Sequence, residues 1–133
     1  MPPAFESFEG RTFKFGCAIV RLYLDISKSP RVPPYLARQI LASGTSIGAN
    51  IEESRACQSR RDTAAKFSIA LKEARETLYW LRLLAANDLL ASETASPLMR
   101  EANELISILT VTRRRLATLL DAGTPRTERP RDG

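Results

Sequence analysis

Apolar residues recur at alternating spacings of four and three along two long stretches of this chain. Phe67, Leu71, Ala74, Leu78, Leu81 and Ala85 form one line. Leu98, Ala102, Leu105, Leu109, Thr112, Leu116 and Leu119 form the other. This spacing keeps one side of an α-helix apolar over many turns. A strand cannot use it, because strand side chains change face at every residue. Most helical stability in proteins comes from packing an apolar face, so these two helices require neighbours.

The chain upstream supplies them. Phe15, Ile19, Leu22 and Ile26 fall at i, i+4, i+7 and i+11 and predict a helix over about Gly10 to Ser27. Ser29-Pro30-Arg31-Val32-Pro33-Pro34 ends it, since each proline disfavours helix in the residue before it. Pro34 suits the first turn of a second helix, to Ala56, striped by Leu36, Ile40, Ile47 and Ile51. Ser59 and Asp62 read as a capping pair for a third helix, to about Asn87. Ser96, followed by Pro97, caps a fourth, and Gly123 suits its stop. The expected fold is all-α, an antiparallel up-down-up-down four-helix bundle over residues 10–122. Residues 1–9 are a lead. Residues 123–133 lack apolar content and are expected to be a disordered basic tail, with Arg126, Arg129 and Arg131.

Length and composition fit one soluble domain. The 133 residues are 44% hydrophobic and 26% charged, with formal net charge +5. That excess suits an anionic partner such as nucleic acid without requiring one. No apolar run is long enough for a membrane helix, and the N-terminus lacks signal-peptide character, so a cytoplasmic location is expected. Cys17 and Cys57 are read as reduced thiols. Histidine is absent.

Candidate chemistry is sparse. Gly44-Thr45-Ser46-Ile47-Gly48 fits the G-x-S-x-G nucleophile elbow. That elbow needs a strand before the serine and a histidine base, and here the stretch reads as helix in a chain without histidine. Glu52, Glu53, Glu73, Glu76, Glu101 and Glu104 have bundle-like spacing, but metal-binding sets of this kind normally include imidazole. Ion pairs with Arg75, Arg82 and Arg100 are the expected use of these carboxylates. No catalytic residue, metal site or cofactor is therefore assigned, and the chain is read as not an enzyme. A carboxylate-bound metal enzyme is the weakest alternative.

Asn50 and Glu53 are expected to form a polar clasp with Glu73 and Glu76 between the second and third helices. Ile69, Glu73, Glu76, Trp80 and Leu83 lie opposite the third helix's apolar line. A second apolar stripe on a bundle helix points to a subunit interface at Ile69, Trp80 and Leu83. Arg55, Arg60, Arg61 and Lys66 surround the corner between the second and third helices, and Arg113, Arg114 and Arg115 stand on the fourth. These are the candidate phosphate contacts, electrostatic and weakly sequence-specific.

Two motifs carry a resemblance. Ser46-Ile47-Gly48-Ala49-Asn50-Ile51-Glu52-Glu53 is followed by the stretch from Lys66 to Leu84, KFSIALKEARETLYWLRLL. Together they resemble the bacterial four-helix family of proteins encoded in 23S rRNA intervening sequences, over roughly residues 8–120. The resemblance implies a ring-shaped homo-oligomer, typically a pentamer. It extends to the accessory variability determinant of diversity-generating retroelements, a basic pentamer that works with a reverse transcriptase. The expected function is a self-assembling scaffold or accessory factor binding nucleic acid (RNA or DNA) or a ribonucleoprotein, with a reverse transcriptase as one implied partner. The alternative is a purely protein-binding or structural oligomer without a nucleic-acid role.

Overall fold

The computed structural model describes residues 6–123; the expected disordered tail, 123–133, lies outside them except for Gly123, which is helical. Four helices follow in order: α1 (Phe8–Ile26), α2 (Pro34–Ala56), α3 (Arg60–Ala86) and α4 (Ser92–Gly123). There is no strand among the described residues. Helix α2 packs on α1 and α3, and α3 on α2 and α4, whereas α1 and α4 meet only lightly.

Local chemistry explains the boundaries. Ser7 accepts a bond from the Gly10 amide at 3.0 Å, so α1 starts at Phe8, ahead of the expected Gly10. Ser59 Oγ accepts from the Asp62 amide at 3.1 Å and opens α3. Helix α3 closes through a left-handed residue, Asp88, at φ 55°. The Leu89 amide reaches Leu84 O at 2.9 Å and the Asp88 amide reaches Ala85 O at 3.2 Å. That pair of reversed bonds is the Schellman closure, which satisfies carbonyls that a helix end leaves open.

Helix α4 starts earlier than its sequence suggests. Its first turn hangs on Ala91 O, which accepts from the amides of Thr94 and Ala95, and Pro97 lies inside the helix. Pro97 can only remove a bond to Glu93, close to the helix start where the loss is small. In return Ala95 is buried, extending the line of Ala102, Leu105 and Leu109 toward the N-terminus.

The core gathers Ile19, Ile40, Ile47, Ile51, Leu81, Leu84, Leu105 and Leu109, all essentially inaccessible. Burial on α3 is turned from the expected line. Ala70, Leu71, Ala74, Thr77, Leu81 and Leu84 are buried, while Phe67, Leu78 and Ala85 are half-buried. Packing on both α2 and α4 widens the covered arc beyond one seam. On α4 the expected seam runs to Leu119, but nothing described after Leu109 is buried.

Candidate functional site

The glycine-serine stretch lies in the middle of α2 and is a packing surface. A Cβ on Gly44 would sit 2.7 Å from both Cγ atoms of Ile19. A Cβ on Gly48 would sit 3.2 Å from the Thr12 carbonyl oxygen. Helix α1 therefore approaches α2 closely because these positions lack side chains. Ser46 Oγ accepts from Asn50 Nδ2 at 3.0 Å within the same helix. Ser43 is buried, donates to Gln39 O at 2.8 Å, and accepts from Thr77 Oγ1 of α3 at 2.9 Å.

The four expected clasp residues do not bond to one another. Asn50 spends its amide inside α2, on the Ser46 carbonyl and hydroxyl, because those acceptors stand one turn away. Glu53 reaches α3 through Lys66 at 2.6 Å, so its cross-helix partner is a cation. The hydrogen bond to Glu53, first, and its charge, second, raise the Lys66 ammonium above its ordinary value. Glu76 accepts from Trp80 Nε1 at 3.3 Å. Glu73 is half-buried. Desolvation, first, and the Glu76 carboxylate, second, raise its carboxyl above the ordinary value, against the pull of Lys72. The buried polar link between α2 and α3 is Ser43–Thr77, which the spacing of charged residues does not suggest.

The acidic residues of α4 also find a different partner from the expected arginines. Arg11 of α1 donates to Glu104, and its same nitrogen lies 2.9 Å from Glu101 Oε1. These contacts raise the Arg11 guanidinium above its ordinary value, Glu104 contributing most. Among the described residues no group of three Asp, Glu, His or Cys side chains is placed to hold a metal ion.

Of the expected interface residues, Ile69 is exposed at 41% and Leu83 is half-buried. Trp80 is half-buried against the core, with edge contacts to Tyr35 and Tyr79 at centroid distances of 6.4 and 5.4 Å. A larger apolar surface lies on α1. Phe13 is 71% exposed, Leu24 55% and Val20 41%, and Cys17 completes the line as a half-buried free thiol. Spacings of four, three and four put these residues on one face, away from Phe15, Ile19, Leu22 and Ile26. They overlook a groove of about 520 Å³ between α1 and α2, floored by Gly16, Thr45, Gly48 and Ala49 and flanked by Glu9 and Glu52.

The basic residues divide. Arg55 is paired to Glu9 at 2.7 Å and Lys66 to Glu53. Arg60, Arg61, Arg113, Arg114 and Arg115 are exposed and carry no ion pair among the described residues. Arg113 and Arg114 line a recess of about 220 Å³ between α3 and α4, joined by Arg75, Leu71, Thr110 and Ala117. Sequence spacing casts Arg75 as a partner for polar groups of the bundle, not as part of a basic surface. Its place here depends on how α3 turns toward α4.

The four-helix fold agrees with comparisons to known proteins. The family model described as 23S rRNA-intervening sequence protein matches residues 10–111. A crystal structure of a protein of unknown function from the S23 ribosomal protein family of Bacteroides thetaiotaomicron is 37% identical. The match has a TM-score of 0.75 and covers 79% of this chain and 96% of that one. No curated protein matches. No described helix is long and apolar enough to cross a membrane.

Proposed function

Because the chain belongs to the 23S rRNA-intervening sequence protein family, we propose that it is a non-enzymatic, self-assembling bundle that binds nucleic acid or a ribonucleoprotein through its basic surface. The observation that carries this reading is the recess where Arg75, Arg113 and Arg114 converge beside the Thr110 hydroxyl. None of the three guanidiniums has an ion pair among the described residues. Planar guanidiniums match phosphate geometry, and such contacts read charge rather than sequence. RNA or DNA, or a complex with a reverse transcriptase, is the proposed partner class, in the cytoplasm.

The assembled unit is an antiparallel bundle. Ser43 bonds Thr77 while the later Glu53 bonds the earlier Lys66, which supports opposite directions for α2 and α3. A closed homo-oligomeric ring, a pentamer, is the proposed quaternary form, with Ile69 and the exposed apolar face of α1 as the surfaces that require cover.

Binding of single- and double-stranded RNA and DNA, titrated against salt, tests the function. The expected result is an affinity that falls linearly in log–log form as salt rises. Absence of binding at about 50 mM salt, where phosphate contacts are strong, rejects it. The second reading, a purely protein-binding oligomer, is favoured by the 71% exposure of Phe13. Retained assembly without nucleic-acid binding would select it.

A further inference from the structure

Two surfaces of this protomer expose apolar side chains beside charges of opposite sign. The first is the α1–α2 groove, where Phe13, Cys17 and Val20 stand over a floor of Gly16, Thr45, Gly48 and Ala49. The small residues of its floor leave an open volume of about 520 Å³. Its flanks carry the carboxylates of Glu9 and Glu52. Glu9 is held by Arg55, while Glu52 is exposed with no ion pair among the described residues.

The second surface is the far end of α4. The apolar line read from the sequence continues through Thr112, Leu116 and Leu119, but burial stops at Leu109. Helix α1 meets α4 through Arg11 at Glu101 and Glu104, upstream of this end. Val111 is 48% and Leu119 46% exposed. Arg115 lies midway between them, so Val111, Arg115 and Leu119 follow at spacings of four along one side of the helix. Arg113 and Arg114 turn to the recess over α3, leaving this side independent of the phosphate site.

We infer that the C-terminal end of α4 of one copy seats in the α1–α2 groove of the next, with Val111 and Leu119 over Phe13 and Val20 and with Arg115 meeting Glu52. This rests on the self-assembly part of the proposed function and names the two surfaces that mate. The partner is a second copy of this chain because the groove is apolar with acidic flanks, and the α4 end carries exposed Val111 and Leu119 on either side of Arg115, a cation with no ion pair among the described residues. Opposite charges at such an interface fix register and reject the reverse pairing. The contact is heterologous, since one copy offers α4 and the other offers the groove. A heterologous contact repeats and closes into a ring when its rotation permits.

Complementation between two variants tests it. Phe13→Glu disables the groove and leaves α4 intact. Leu119→Glu disables α4 and leaves the groove intact. Both positions are exposed in the protomer, so circular dichroism should show unchanged helix content. Each variant alone is expected to be a single copy by light scattering. An equimolar mixture is expected to double that mass, because one functional groove then meets one functional α4 end. Val20→Lys and Val111→Lys form a second pair with the same expectation, should either first variant fold poorly. If either variant alone keeps the wild-type mass, or the mixture does not exceed one copy, the pairing is wrong while self-assembly stands. A wild-type protein that is itself a single copy overturns both.

Discussion

The Thr77 hydroxyl of α3 lies 2.9 Å from the Ser43 hydroxyl of α2, in an interface that excludes water from both. Ser43 donates its own hydroxyl hydrogen bond to Gln39 O at 2.8 Å, so Thr77 donates to a serine whose donor is already committed. The Glu73 carbonyl, 2.8 Å from Thr77 Oγ1, is the competing acceptor within α3. Thr77→Val keeps the shape and removes one donor without orphaning Ser43. It should cost about 1 kcal/mol in urea unfolding, the usual net value of one such bond. Ser43→Ala should cost a similar amount, and the double variant should cost less than the sum.

Gly44 and Gly48 separate two kinds of close approach. A methyl at 44 meets two carbons of Ile19 at 2.7 Å, inside a packed core with no room to move. Overpacking there costs about 1–3 kcal/mol, more than the roughly 1 kcal/mol that alanine gains over glycine in a helix. A methyl at 48 meets the Thr12 carbonyl at 3.2 Å, a milder contact that a shift of a few tenths of an ångström relieves. Gly44→Ala should therefore lower the melting temperature, and Gly48→Ala should change it by less. Equal effects would mean that the α1–α2 spacing is not set at Gly44.

Asp88 holds a left-handed conformation, φ 55°, that closes α3. Aspartate tolerates that region better than most residues, but glycine occupies it without a Cβ penalty. Asp88→Gly should raise stability by about 0.5 kcal/mol, and Asp88→Val should lower it, both read as unfolding midpoints at unchanged m-value.

Much of this architecture is legible in the sequence because hydrophobic spacing is a strong local signal. Pro34 to Ala56 as α2, and Ser59 as the α3 cap, follow from residue types acting on their own neighbourhood. What escapes the sequence depends on which residues face each other. Pro97 looks like a first-turn residue, yet α4 starts ahead of it, because the burial of Ala95 outweighs that local preference. Arg11 reaches Glu101 and Glu104 across the chain, so nearness in sequence points to the wrong arginines. Asn50 turns to acceptors one helical turn away, a choice its own stretch contains. The Phe13–Leu24 line is readable by spacing, yet Phe15–Ile26 interleaves with it and carries the larger residues. The Phe15–Ile26 line expected from spacing is the buried one, and the Phe13–Leu24 line is left outside the protomer.

Glu73 makes the stability depend on pH in a particular sense. Its carboxyl is raised above the ordinary value, chiefly by burial and then by Glu76. The native state thus holds this proton more tightly than the unfolded chain does. Between the ordinary carboxylate value of 4.5 and the raised one the folded protein binds more protons, so this group's contribution to stability falls as pH rises through that window. Glu73→Gln should be more stable than the wild type at pH 7. Its advantage should shrink as pH falls through the raised value and vanish below 4.5, where both wild-type states are protonated. Parallel melting curves from pH 3 to pH 7 check this, and a constant difference across that range would exclude the carboxylate as its cause.

Arg75, Arg113 and Arg114 should act on nucleic acid as a set. All three line the same recess, so backbone phosphates that track along it meet three cations. Replacing one by Gln removes a positive charge and a bidentate donor, which should weaken binding of every sequence to a similar extent. The salt slope should fall by about 0.7 for single strands and 0.9 for duplex DNA for each phosphate no longer neutralised. Because Lys keeps charge but not the planar fork, Arg113→Lys should preserve most of the slope and weaken the affinity in part. Arg55→Gln is the control: its guanidinium is engaged by Glu9, so its removal should leave the slope nearly unchanged. A slope that drops equally for Arg55 and Arg113 would place the phosphate-binding groups across the whole basic surface rather than in the α3–α4 recess.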